Sequence, residues 1–451
     1  MKTNFMRGSS ALACLVLLAA CDDKVASSSS QYGAHPDLPA PRQYIMPPMQ
    51  VPFAAGWKPG DKPSVAPGLR VQAFATAFQH PRMVYSLPNG DVLVVESNGP
   101  KAPIFRPKDY IEGKVKGLSG SGAHAGNRII LLRDTSGDGR ADLRTIFIDH
   151  LKSPFGVVLV GNDLYVADTD AILRFPYSAG QTRIAVPGTV LTDLPAGPIN
   201  HHWTKSLTAS PDGKTLYVGV GSNSNITENG LAAEAGRAAI YEVDRATGMK
   251  RVFASGIRNA TGVAFDPWAK RLWAVVNERD EIGPNLVPDY LTQVRENAFY
   301  GWPYSYFGQH VDVRAQPQRP DLVARAVAPD FALSSHVAPL GLVFSQTSNL
   351  GAAYRNGVFI SEHGSWDRTP LNGYKVVYVP FSNGEPYGAP QDVVTGFLNT
   401  QENAKGRPAG IALDRSGALL IADDVGNTIW RVSAVAKPKL ASGTLPYPAH
   451  T

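Results

Sequence analysis

Two segments of this chain carry side chains suited to acid–base chemistry and to stabilising charge. Asn200-His201-His202-Trp203 leads into SPDGKTLYVGVG (210–221), and GIRNATGVAFDP (256–267) leads into LWAVV and the polar run NERDEIGPN (277–285). Each sets a base or a cation, His202 and then Arg258-Asn259, just before a turn and a strand. A histidine base beside a fixed Arg-Asn pair and an acid-rich loop suits proton abstraction with stabilisation of the charge that develops. Satisfied polar residues on loops account for the same pattern without chemistry.

Something must bring these segments together. The chain is rich in Gly (43) and Pro (36), with short β-branched and aromatic runs and almost no helical period, which reads as all-β. Six strand–turn–strand units recur: PRMVYSLPNGDVLVVES (81–97), PFGVVLVGNDLYVADTD (154–170), KSLTASPDGKTLYVGVG (205–221), TGVAFDPWAKRLWAVVNE (261–278), LGLVFSQTSNLGAAYRNGVFISE (340–362) and PAGIALDRSGALLIADD (408–424). Their turns carry Asn-Gly, Asp-Gly and Ser-Gly, which is hairpin chemistry. A spacing of roughly fifty to ninety residues fits one four-stranded blade plus loops, so the chain reads as a six-bladed β-propeller. A pair of β-sandwiches is the alternative, but nothing divides the chain into two cores.

In a propeller, residues just before the first strand of each blade and just after the second converge on one mouth. The first set is His80-Pro81-Arg82, Ser153, His202, Arg258-Asn259, His336 and Gly406-Arg407. The second is Glu96, Asp168, Asn223 and Asn225, Asn277 to Glu281, Glu362-His363 and Asp423-Asp424. Cations and imidazoles face a ring of acids and amides.

The N-terminus has Lys2 and Arg7, then the apolar run ALACLVLLAA (11–20), too short to span a bilayer comfortably. It ends in Leu18-Ala19-Ala20-Cys21, which resembles a bacterial lipobox with Cys21 as the acylated residue, and Asp22 favours retention at the inner membrane. The expected organisation is a lipoprotein signal (1–20), a flexible Ser/Pro-rich tether (21–57), the propeller (58–440) and a C-terminal tail (441–451). The protein is expected to be periplasmic, touching the membrane through its lipid alone. The cysteines are Cys14, lost with the signal, and Cys21, so disulfides, cysteine catalysis and thiolate metal sites are excluded. A net charge of +5 with no Lys/Arg cluster argues against nucleic acid.

Five segments resemble the quinoprotein sugar dehydrogenases, soluble PQQ-dependent glucose dehydrogenase and, more closely, the sorbosone dehydrogenase group. They are the stretch from His202 to Val218, GIRNATGVAFDP (256–267), NERDEIGPNLVPDYLT (277–292), FYGWPYSYFG (299–308) and EHGSWDRTPLNGYKVVYVPF (362–381). The resemblance implies PQQ and Ca²⁺ as cofactors and oxidation of a sugar or sugar aldehyde (an aldose, sorbosone or related pyranose) by hydride transfer to the quinone. It makes His202 the general base, with His201 as rival, and Arg258 and Asn259 the pair at the quinone. The quinone-site Ca²⁺ falls at Arg279, Asp280 and Glu281, through backbone or side chain. Here the chain departs from the glucose dehydrogenases, which have Gly-Pro at that point, whereas Gly283-Pro284 follows slightly later. A cofactor with three carboxylates calls for cations, and His363, Arg368 and Arg407 are candidates, with Lys405 nearby. For Arg368 an ordinary surface ion pair is the alternative.

DTSGDGRAD (134–142) sets Asp134, Ser136, Asp138 and Asp142 at EF-hand-like spacing but has Thr145 where the closing Glu belongs. A structural Ca²⁺ and a self-capped hairpin both explain it. No Cys-x-x-Cys-His haem motif occurs, so electrons would leave to a separate acceptor, a cytochrome or quinone. Two competing functions stand: a Ca²⁺-dependent sugar lactonase, and a non-catalytic ligand-binding propeller lipoprotein. Neither requires the Arg258-Asn259 pair.

Overall fold

The second strand of each repeat is apolar almost throughout because it is buried on both faces. In Val92–Glu96, Leu272–Val276, Gly357–Glu362 and Leu419–Asp423 every residue is buried. Alternate side chains serve different neighbours. Val92 and Val94 pack with Leu420 and Ile429, whereas Leu93 and Val95 pack with Leu164 and Val166. Leu272 and Ala274 face Ile240, while Trp273 and Val275 face Val358 and Ile360. A strand sandwiched between two sheets therefore shows a continuous apolar run rather than alternation.

The computed structural model describes residues 28–42 and 50–435, apart from 102, 104–112, 115–116 and 121. The expected export signal (1–20), Cys21 and the expected C-terminal tail (441–451) lie outside the described residues. Each sequence repeat supplies the first two strands of one antiparallel blade, and the six blades form a propeller. The innermost strands are Pro81–Ser86, Val157–Val160, Leu207–Ala209, Ala260–Phe265, Pro339–Phe344 and Pro408–Leu413. Ring closure joins the two ends of the domain: Leu69–Ala75, from before the first blade, pairs with Thr428–Ala434 as the outer strand of the sixth. Each adjacent pair of blades shares a hydrophobic cluster, so the core is a ring of six wedges rather than one centre. An excursion between Pro288–Gln293 and Phe331–Ser335 adds a small two-stranded ribbon and a one-turn helix, Pro320–Val323.

The stretch expected to be a flexible tether is, in its described parts, laid on the propeller. Tyr32–Gly33 pairs with Phe331–Ser335 as a fifth strand of the fourth blade. Trp57 packs edge-on against Phe397 and Trp430 and donates from Nε1 to Asp423 at 2.6 Å. A Ser/Pro-rich segment cannot build its own core, but its backbone can pair with an open sheet edge, and composition gives no sign of that. Among the described residues, no helix is long and apolar enough to cross a membrane.

Candidate active site

Strand register brings the approach and exit residues of each blade to one end. Pro81 lies opposite Glu96, Ala260 opposite Val276, Pro339 opposite Glu362 and Pro408 opposite Asp423. Side chains on either side of these pairs meet their counterparts from the next blade.

His202 stands before the first strand of the third blade, half-buried. Its Nδ1 lies 3.0 Å from the Ser222 carbonyl and 2.8 Å from the Ser222 hydroxyl, which itself donates to Ser224 O at 2.7 Å. A carbonyl can only accept, so Nδ1 carries the proton and Nε2 presents a lone pair. Burial, then the charge of Arg258, then His201, holds the imidazole well below its ordinary range. His202 is thus a neutral base of defined tautomer at pH 7. Gly221 makes room for it: a Cβ there would stand 2.5 Å from His202 Cβ and 2.4 Å from Asn259 Oδ1.

Arg258 is buried and fixed. Nε donates to Asn225 O at 3.2 Å, Nη1 to Asn277 O at 3.2 Å and Glu278 O at 2.7 Å, and Nη2 to Asn225 Oδ1 at 3.0 Å. Four of its five N–H groups are used, leaving one on Nη2. Its neighbour Asn259 has a buried Oδ1 with no hydrogen bond. These two, with His202, form one corner of the mouth.

The polar loop after Leu272–Val276 divides its acids. Asp280 Oδ1 lies 3.1 Å from His336 Nδ1, whose Nε2 faces Gly283 O at 3.0 Å. Asp367, from the fifth blade, accepts the Glu281 N–H at 2.8 Å through Oδ2, while its buried Oδ1 has no partner. Ligand atoms of Asp280, His336 and Asp367 all lie within 4.8 Å of one another, a grouping that suits a metal ion. Burial alone would lower His336, but the hydrogen bond and charge of Asp280 outweigh it and raise the imidazole to about 9. Burial and the Asp280 charge raise Asp367 to about 6. The other two expected metal residues do different work. Arg279 turns its buried guanidinium to Asp312 and to Asp280 O, leaving only its backbone to offer, and Glu281 lies 3.7 Å from Arg314.

On the far side, Asp424 joins three blades. It accepts Arg82 Nη1 from the first blade and lies 2.8 Å from His363 Nε2 of the fifth. Burial opposes its charge, but His363 and Arg82 hold the carboxyl far below its usual range. Burial and then Arg407 lower His363 to about 3, so it is a neutral donor to Asp424. Arg407 donates to His363 O at 3.0 Å and Gly364 O at 2.6 Å, and Lys405 Nζ sits 4.7 Å above the Trp57 ring. Arg368 is no surface ion pair. It is buried, donates to Pro284 O at 2.6 Å and to Gln31 Oε1 at 3.3 Å, and burial lowers it to about 10.

Asp134, Ser136, Asp138 and Asp142 lie in the exposed hairpin between Arg128–Arg133 and Leu143–Ile148. Asp134 accepts the N–H groups of Gly137 (2.7 Å) and Gly139 (2.8 Å), Asp138 that of Arg140 (2.8 Å), and Asp142 the Thr135 hydroxyl (2.6 Å). These acids cap their own turn.

Sequence reasoning named His336 and Asp424 only as ring positions and passed over Asp367, Ser222 and Gly221. The signal for Asp367 was available, one residue before Arg368 in GSWDR.

Residues 125–298 and 308–435 match the TrAA12-like family. The chain belongs to that family. It is a distant relative of the six-bladed PQQ-dependent sugar dehydrogenases. An uncharacterized protein of Borreliella burgdorferi is 26% identical over 292 residues, 62% of this chain and 76% of that one. The pyrroloquinoline quinone-dependent pyranose dehydrogenase of Coprinopsis cinerea is 26% identical over 222 residues, 40% of this chain and 30% of that enzyme. Among solved structures, the holo PQQ domain of the Coprinopsis cinerea pyranose dehydrogenase superimposes with a TM-score of 0.67 at 21% identity, over 85% of this chain and 100% of that one. The calcium structure of Trichoderma reesei Carbohydrate-Active Enzymes Family AA12 gives 0.67 at 18% identity, over 86% and 99%. The TrAA12-like match begins within the first blade and runs through the closing strands, so it covers His202, Arg258, Asp280, His336, Asp367 and Asp424.

Proposed function

We propose that this TrAA12-like protein oxidises a sugar or sugar aldehyde with PQQ and a divalent cation. The observation that carries the reading is His202, a neutral base with its tautomer set by Ser222, beside a guanidinium that keeps one N–H unspent. The mouth fits a polyfunctional cofactor that binds together with a cation, since the groups left open there are one donor and three acceptors. Arg82 Nε, Asn259 Oδ1, Asp367 Oδ1 and Asp424 Oδ1 are buried without partners at this end of the ring, and such orphaned groups are rare unless a ligand completes them. The carboxylates of Asp280 and Asp367 would hold the cation, with His336 beside them orienting Asp280, and the calcium of the Trichoderma reesei relative is the candidate.

When bound, PQQ supplies the two-electron acceptor and the cation polarises it. The chain's own residues do the rest. His202 Nε2 takes the proton from the substrate hydroxyl. Arg258 offers its remaining Nη2–H to the negative charge that develops, and the open Asn259 Oδ1 beside it can accept from a donor on the cofactor or substrate. Arg407, Arg82 and His363 give the far wall its positive and hydrogen-bonding character. Incubating purified protein with PQQ and calcium and following sugar-dependent dye reduction tests the reading. Metal-dependent lactone hydrolysis that needs no PQQ would overturn it.

We propose further that the protein is exported and anchored through acylated Cys21, delivering electrons to a separate acceptor. Mass spectrometry of the membrane-extracted protein tests this, and an unmodified Cys21 would refute it.

A further inference from the structure

Gln31 belongs to the stretch whose composition suggests a tether, yet its side chain is completely buried. Its Nε2 donates to Asn285 O at 2.8 Å and to Ser335 Oγ at 3.3 Å. Its Oε1 accepts from Ser334 Oγ at 3.0 Å and from Arg368 Nη1 at 3.3 Å. One amide therefore joins the fourth blade's outer strand to two loops, one after Val276 and one after Glu362. Those loops carry Asp280 and Asp367.

The same segment touches both loops a second time. The Arg42 N–H donates to Ile282 O at 3.0 Å, two residues beyond Asp280. The Gln50 N–H donates to Trp366 O at 3.0 Å, and Trp366 and Arg368 flank Asp367. Between the loops themselves, among the described residues, the side-chain ties are the Glu281 N–H to Asp367 at 2.8 Å and Arg368 to Pro284 O at 2.6 Å and Asn285 Oδ1 at 3.4 Å. Two irregular loops from different blades have no shared strand to fix their separation. Ligands on such loops keep their geometry only through the groups bonded behind them.

We propose that Gln31 is a positioning residue for the cation site, and that the N-terminal segment is a structural part of that site. Gln31 acts through Asn285 and Arg368, setting the distance between Asp280 and Asp367. The proposal rests on the cation site described above. It goes beyond it by assigning a role to residues ahead of the first blade, outside the part of the chain that matches the family.

Calcium titration calorimetry on the full-length protein, without PQQ, tests it. Gln31→Met keeps volume and length while removing all four hydrogen bonds, and calcium affinity should fall about ten- to a hundredfold, as for other groups that orient ligands. Gln31→Glu keeps the acceptor for Arg368 but faces Asn285 O with an oxygen, and should also weaken calcium. The lost buried hydrogen bonds will lower the thermal midpoint of the metal-free variants, so calcium binding is measured well below that midpoint, where the variants are fully folded and the titration reads positioning rather than unfolding. Unchanged calcium affinity in both variants overturns the proposal. If Asp367→Asn abolishes binding while the Gln31 variants bind normally, only the role of Gln31 falls. Wild-type protein that binds no calcium overturns the role of Gln31 and the cation site together.

Discussion

His202 enters and Ser222 leaves one hairpin of the third blade, so the two meet at its open end, and the 2.8 Å contact between Ser222 Oγ and His202 Nδ1 helps decide which imidazole nitrogen is basic. The Ser222 carbonyl, 3.0 Å away, makes the same demand. His202→Ala should lower kcat by about 10²–10⁴-fold, the usual worth of a general base, with PQQ and calcium still bound. Ser222→Ala should lose less, because the carbonyl still orients the ring. Steady-state kinetics with parallel cofactor titrations read both, and normal turnover in His202→Ala would place the base elsewhere.

The charge of Arg258 beside His202 has a consequence in pH. Burial and Arg258 keep His202 well below 6.5, so it stays unprotonated through the neutral range. The acid limb of kcat/KM should therefore lie below pH 6.5. Arg258→Met removes the nearest charge and should shift that limb to higher pH, besides weakening cofactor binding. A limb that stays in place would mean that a different group titrates.

Gly221 should tolerate no side chain. A methyl group there meets His202 Cβ and Asn259 Oδ1 at 2.5 and 2.4 Å, about two-thirds of an ordinary van der Waals separation. Gly221→Ala should impair turnover strongly and leave the circular-dichroism spectrum of the propeller unchanged.

His363 links the site to stability. Burial first, and then Arg407, lowers it from 6.5 to about 3, so below pH 6.5 the unfolded chain takes up a proton that the folded chain refuses. This contribution destabilises the protein as pH falls from 6.5 toward 3, by up to about 1.4 kcal/mol per pH unit. His363→Gln, which keeps a donor near Asp424, should remove that share of the acid sensitivity. Denaturant midpoints at pH 7 and pH 5, compared between the two proteins, measure it.

Closure of the ring gives a test of the fold itself. Phe74, on the strand Leu69–Ala75, is buried against Val84, Val92, Leu420 and Ile429, at the seam between the sixth blade and the first. Phe74→Ala should cost about 3–5 kcal/mol in urea unfolding. A loss below about 1 kcal/mol would show that the seam carries little of the stability.

The architecture was legible in the sequence because each blade must bury its second strand on both faces. VLVVE, LWAVV and LLIAD are therefore apolar runs framed by hairpin turns, and counting them gives the six blades. His202, Arg258 and Asn259 were legible as well, since position relative to such a strand fixes which end of the propeller a residue occupies. Local pattern is silent on what meets across blades. His336 reaches Asp280 over 56 positions of sequence, Arg82 reaches Asp424 over 342, and Gln31 reaches Arg368 over 337. Strand period and turn chemistry act over a few residues, whereas these contacts depend on ring closure and on loops from neighbouring blades packing at one mouth. For the same reason the spacing in DTSGDGRAD leaves a cation loop and a self-capped hairpin both open, and only the folded turn shows its acids bonded within it, while composition reads as a tether a stretch that an open strand edge and a buried Gln31 hold in place. The sequence by itself determined the blades and the end of the ring that His202 occupies. Tertiary structure decided the partners, because only a closed ring sets a carboxylate of one blade beside an imidazole of the next.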